Sequence, residues 1–180
     1  DLHSAFFDAT QHLAQLGHKD IAFVTGNQTA YSSALRFNGF KSGLEAAKLD
    51  LDPSRVFEGD YSAESGRRAF NYFFSRANKP TAVVCANDAT AMGMLAEAND
   101  AGFEVPKQLS VIGYDGVRMG ELSSPPLTTM RHSAAEVGQK MAGMLIKLIE
   151  SNNAAQCIVG NQILAPAELA LRGSTSKAPE

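Results

Sequence analysis

Six residues in this sequence carry groups suited to recognising a small polar molecule: Ser32, Arg36, Tyr61, Asn87, Asp88 and Asp115. A guanidinium only donates hydrogen bonds, a carboxylate only accepts them, and a carboxamide does both, so together they can satisfy the neighbouring hydroxyls of a polyol. A tyrosine ring can cover the apolar face of a sugar or base. Each residue also has a structural use. Asp88 reads first as a helix cap, and Asn87 and Ser32 read as turn formers. Arg36 lies off the Phe37/Phe40/Leu44 stripe and could be solvated, while Tyr61 divides evenly between rim packing and stacking. Asp115, directly after an apolar run, is the hardest to explain without a ligand.

Motifs for covalent, phosphate or metal chemistry are missing. The sequence has no Gly-x-x-x-x-Gly-Lys-Ser/Thr, Gly-x-Gly-x-x-Gly, Gly-x-Ser-x-Gly or His-Glu-x-x-His. Asp88 and Asp115 could share a cation, but no third ligand stands near them, so neither metal nor cofactor is expected. His3, His12, His18 and His132 fall on the first helix or at element boundaries, away from the strand-end loops, where surface or capping roles are expected. These absences favour a binding protein over an enzyme.

An alternation of short apolar runs and helical stripes must position these residues. Phe6, Ala9, Leu13 and Leu16 predict a helix over Ala5 to Leu16, capped at Ser4 and stopped at Gly17. Ile21 to Val24 then reads as a strand covered on both faces. The pattern repeats. The Phe37/Phe40/Leu44/Ala47 stripe, a strand near Arg55 to Glu58 and the Gly66/Ala69/Phe70/Phe73 stripe follow. Next come a strand at Thr81 to Cys85, a helix capped by Asp88 and ending at Gly102, and a strand at Leu109 to Tyr114. Such alternation implies a doubly wound α/β fold, a mostly parallel sheet with helices on both faces. Ligands of open parallel sheets bind beyond the carboxyl ends of the strands, which is where the candidate residues fall. After Pro125-Pro126 a strand over Leu127 to Met130 precedes a long stripe of Val137, Met141, Leu145 and Leu148. A last strand is expected over Cys157 to Leu164, and a frayed polar tail over Ser174 to Glu180.

The chain's 180 residues carry 16 Lys+Arg against 19 Asp+Glu, a net charge of −3 that argues against a nucleic-acid-binding surface. With 44% hydrophobic and 19% charged residues it can bury a real core. Cys85 and Cys157 form no disulfide or zinc pattern, which fits a reducing compartment. No apolar run is long enough to span a bilayer, and no membrane partner is expected.

Five runs, in order and spacing, resemble the effector domain of LacI/GalR-family bacterial transcription regulators. They are Leu16 to Phe23, Arg36-Phe37-Asn38-Gly39-Phe40, Ala86 to Gly93, Val111-Ile112-Gly113-Tyr114-Asp115 and Pro126 to Arg131, with Leu171-Arg172-Gly173-Ser174 matching the family's closing Arg-x-Ser. The resemblance covers nearly the whole chain. It implies the second of two periplasmic-binding-protein-like (type I) lobes. Residues 1–130 would form that C-terminal lobe, 131–161 an excursion into the first lobe, 162–173 the return and 174–180 a tail. The helix from Ala134 to Glu150 would then pack in the first lobe, with Thr128 to His132 and Gln162 to Ala165 as crossings.

Carried over residue by residue, the resemblance assigns hydrogen bonding to Arg36, Asn87 and Asp115, ring stacking to Tyr61 and a further contact to Ser32. A purine-responsive branch has a basic residue six positions before the arginine, where this chain has Ala30, which favours a sugar. The implied protein is a cytoplasmic, sugar-responsive repressor. It is a homodimer with Met92, Leu95 and the Met119 to Pro126 segment near the two-fold axis, although those residues could equally be core and loop. It reaches operator DNA only through an N-terminal helix-turn-helix outside this sequence. A periplasmic sugar-binding protein of a transport system is the alternative, since it shares the fold and the Asn87-Asp88 and Gly113-Tyr114-Asp115 runs.

Overall fold

The continuous apolar runs become strands buried along their whole length, as expected where helices cover both faces of a sheet. The computed structural model describes residues 1–27, 29–150 and 164–179. Its sheet contains β1 (Ile21–Val24), β2 (Val56–Phe57), β3 (Ala82–Cys85), β4 (Ser110–Asp115), β5 (Thr128–Arg131) and β6 (Glu168–Ala170) in the order β2-β1-β3-β4-β5-β6. All neighbours are parallel except β6, which returns antiparallel to β5.

The period-two alternation of each strand divides the core. Ile21 and Phe23 pack on the face covered by α1 (Leu2–Gln15) and α2 (Tyr31–Ala46), whereas Ala22 and Val24 pack on the face covered by α3 (Ala63–Phe74) and α4 (Asp88–Asp100). Each helix pair touches through glycine. A methyl on Gly39 would overlap the His3 carbonyl, and one on Gly93 would overlap that of Ala63. A 3-10 turn (Pro53–Arg55) precedes β2, and its Arg55 forms a two-point ion pair with Asp20 at 2.5 and 2.6 Å.

Several local expectations change. The cap of α1 is Asp1, whose carboxylate accepts from the Ser4 amide at 3.0 Å and the Ser4 hydroxyl at 2.7 Å; Ser4 is a helical residue. The short α5 (Arg118–Glu121) and strand β6 were not anticipated. Nor is the tail frayed across its described residues. Ser174 is buried between β4 and β5, where its Oγ donates to Val111 O at 2.6 Å and accepts from Thr128 N at 2.8 Å. Ser176 accepts from His18 Nε2 at 3.0 Å, and Ala178 N donates to Leu16 O at 2.9 Å. Serine hydroxyls here complete backbone pairing that β4 and β5 leave open. His18 is therefore a buried core histidine rather than a surface or capping one.

α6 (Ala134–Glu150) follows β5 as predicted and exposes Met141, Leu145, Ile146 and Ile149. The strand expected over Cys157 to Leu164, except its last residue, and the first half of the crossing expected over Gln162 to Ala165 lie outside the described residues.

Candidate ligand site at the strand ends

The loops after β1, β2, β3 and β4 converge at the carboxyl edge of the sheet, and Tyr61 sits at their centre. Asp60 starts the turn: its Oδ1 accepts from the Ser62 amide at 2.9 Å and also from the Ser62 hydroxyl. These bonds and Arg68 at 3.0 Å hold its carboxyl well below the usual carboxylate range. Tyr61 follows with φ +67°, a left-handed conformation that turns its ring back over Gly26, where any side chain would collide with it. Its hydroxyl meets Ser33 Oγ at 2.5 Å, and Arg36 Nη1 donates to the same hydroxyl at 3.4 Å. Its carbonyl accepts from Asn87 Nδ2 at 3.0 Å.

Arg36 is not solvated. Its guanidinium carbon lies 5.3 Å from the ring centres of Tyr61 and Tyr114 and 5.8 Å from that of Phe6, within cation–π range of all three. Its Nε is buried and has no hydrogen-bond partner among the described residues.

The capping role expected of Asp88 falls to Asn87. Asn87 caps α4, its Oδ1 accepting from Thr90 N at 3.0 Å, while Asp88 is the first helical residue. The Asp88 carboxylate is buried, accepts from Thr129 Oγ1 at 2.6 Å and Val117 N at 2.8 Å, and titrates above its ordinary range because burial disfavours its charge. Gly113 leaves it room, since a methyl there would overlap Asp88 Oδ1.

Asp115 ends β4 with φ +124°, and Gly116 at +73° folds the next loop against Arg131. Its half-buried carboxylate has no hydrogen bond among the described residues. Burial and the nearby Asp88 push its pKa up, against pulls from Arg36 and His132. His132 was expected at an element boundary away from these loops; instead it stacks on Tyr114, with ring centres 5.7 Å apart.

The structure thus brings Arg36, Tyr61, Asn87 and Asp115 to one edge. Ser32, in the first turn of α2, makes no side-chain hydrogen bond among the described residues, and the serine joined to Tyr61 is Ser33. Ser33, Tyr114 and His132 were missed as members of this cluster. Helical phase would have favoured Ser33 over Ser32, because Ser33, Phe37 and Phe40 share the inward stripe of α2. Two clefts flank the cluster. One of about 240 Å3 is lined by Thr25, Ser33, Ala34, Phe37 and Val56. The other, of about 360 Å3, is lined by Arg131, His132, Ser133, Glu136, Pro166 and Glu168.

Residues 10–175 match the family described as a periplasmic binding protein-like domain. The chain is 35% identical over 141 residues to the HTH-type transcriptional repressor PurR of Haemophilus influenzae (strain PittEE), covering 78% of this chain and 42% of that protein. Its structure resembles a sugar-binding transcriptional regulator of the LacI family from Escherichia coli, solved with phosphate, at a TM-score of 0.84 and 27% identity over 98% of this chain and 62% of that one. A dimeric Lac repressor with a C-terminal deletion superposes at a TM-score of 0.88 and 30% identity, over 98% of this chain and 63% of the other. The chain spans less than half the length of the curated repressor it matches. In its parallel sheet, its strand-end loops and its sequence, this chain belongs to the periplasmic-binding-protein-like family, as an effector-binding domain of the LacI/GalR type.

Proposed function

We propose that this chain is the effector-sensing lobe of a cytoplasmic, sugar-responsive transcriptional regulator. One observation carries the reading: among the described residues the buried Arg36 Nε has no acceptor and the half-buried Asp115 carboxylate has no donor, and both lie near Tyr114. A ligand with adjacent hydroxyls supplies both missing partners, and Tyr61 offers a ring beside them. Asn87 acts on the same site by holding Tyr61 in place, and Ser32 lies in the first turn of α2, next to the Ser33 that meets Tyr61. The E. coli relative described as sugar-binding supports this ligand class, as does Ala30, six positions before Arg36.

In this reading residues 1–130 form one wall of a clamp, α6 belongs to the excursion toward a first lobe, and 162–173 return from it. Closure on the sugar changes how the two lobes sit and so changes operator binding by a helix-turn-helix outside this chain, a coupling between distinct sites. The protein acts as a homodimer, in keeping with the dimeric Lac repressor relative. Met119 and Leu122, both exposed, suit such an interface, whereas Leu95 is committed to the core.

Calorimetric titration of the intact regulator with a panel of mono- and disaccharides tests the reading. Arg36→Ala and Asp115→Ala should each weaken binding on the order of tenfold or more, since a hydrogen bond to a charged group contributes roughly 1.5–3 kcal/mol. Unchanged affinity in both removes them from the site.

A further inference from the structure

Resting on that reading, we propose that His132 is an additional ligand-contact residue, and that its Nδ1 and the Asp115 carboxylate together read one ligand hydroxyl. Asp115 pairs with Arg131 across β4 and β5 and His132 is the next residue; Asp115 leaves the strand conformation at φ +124°, and His132 lies near enough to act on its carboxyl. Its ring ends a stacked column in which Phe6 lies 5.4 Å from Tyr114 and Tyr114 lies 5.7 Å from His132. Nδ1 is buried and has no hydrogen-bond partner among the described residues.

The neighbours of His132 are already committed. Arg131 pairs with Glu168 at 3.6 Å, and Ser133 Oγ accepts from the Glu136 amide at 3.2 Å, so in the cleft beyond the column the polar groups without a partner among the described residues are His132 and the Glu136 carboxylate, and of these His132 is the one that lies against Tyr114. His18 shows how a purely structural histidine is treated in the same chain, with Thr81 on one ring nitrogen and the Ser176 carbonyl on the other. His12 also buries a nitrogen with no partner among the described residues, but it sits on α1 near His18, which lies before β1 rather than at the strand ends. A carboxylate can only accept, so a hydroxyl between the two donates to Asp115 and accepts from the Nδ1–H of His132.

The test uses the intact regulator titrated with D-glucose, D-galactose, D-ribose and cellobiose, first by NMR of the Asp115 amide and the histidine side chains, then by calorimetry on variants. His132→Phe keeps the stack on Tyr114 and removes both nitrogens, while His132→Asn restores a donor near the Nδ1 position. A sugar that shifts the Asp115 amide should also shift the His132 ring. It should bind His132→Phe about tenfold more weakly and His132→Asn within about threefold of wild type. If Arg36→Ala and Asp115→Ala lose affinity while His132→Phe keeps it, the role of His132 is refuted and the site stands. If no sugar disturbs Asp115, the site reading fails and this inference fails with it.

Discussion

Thr129 donates its hydroxyl to Oδ1 of Asp88 at 2.6 Å, joining the middle of β5 to the first turn of α4 through a buried carboxylate. The bond passes over Gly113 of β4, which has no side chain to block it. Two crossovers of the sheet are thereby fixed to each other directly beneath the candidate site. Thr129→Val keeps the shape and leaves the carboxylate one donor short, so it should cost roughly 1.5–3 kcal/mol in urea denaturation. A loss near zero would mean that the carboxylate finds another donor there.

Asn87 does two jobs with the two ends of one carboxamide, and substitutions can separate them. Asn87→Asp keeps the oxygen that caps α4 and loses the donor to the Tyr61 carbonyl. It should fold with near wild-type stability yet bind effector more weakly. Asn87→Ala loses both and should be destabilised by about 1 kcal/mol as well. Equal binding loss in both variants, with unequal stability, is the pattern to look for by calorimetry and thermal melts.

Asp115 is the residue where binding and stability oppose each other. Its carboxyl is raised in the fold by burial and by the nearby Asp88, only partly offset by Arg36 and His132. A raised folded pKa means that this group favours the folded state below its unfolded pKa, about 3.9. That contribution is lost as pH climbs through the folded value. Its ionisation therefore works against folding at neutral pH. Because the carboxylate has no hydrogen bond to lose among the described residues, Asp115→Asn should melt higher than wild type at pH 7, and the gain should vanish near pH 3. A variant less stable than wild type at pH 7 would show that the charge is compensated.

The alternation of apolar runs made the sheet and both helical layers legible, because a strand buried on two faces has a pattern that few other elements share. Caps were harder to read. Asn87 and Asp88 both suit an N-cap, and only the position of Thr129, forty-one residues on, draws the carboxylate into the core and leaves the cap to Asn87. The tail misled for a similar reason. Ser174 and Ser176 look like solvated residues until the start of β4 and β5 gives the Ser174 hydroxyl two backbone partners and the Ser110 hydroxyl accepts from the Ser176 amide. Asp115 could be placed at the strand-end edge from its position after an apolar run, whereas Arg36, which lies within α2, and His132 could not be placed by local pattern alone, since the neighbourhood of His132 depends on strand register and a stack on Tyr114.

α6 leads to the last expectation, self-association of this 180-residue chain. Met141, Leu145, Ile146 and Ile149 are each 54–69% exposed, and methyls added at Gly138 and Gly143 would meet open space, so the apolar stripe has no cover from the described residues. Burying a side chain of this kind contributes roughly 1.5–3 kcal/mol, and several together can exceed the cost of ordering a second chain. In the intact regulator the first lobe would cover this stripe; here a second copy of α6 is the nearest substitute. Sedimentation of the 180-residue chain should show a concentration-dependent dimer, and Leu145→Lys, which places a charge in the middle of the stripe, should return it to monomer. Hydrogen exchange should protect α6 more strongly in the intact regulator than in this chain at low concentration. A strict monomer at high concentration with α6 already protected would mean that the helix packs on its own lobe, and that its assignment to the excursion is wrong.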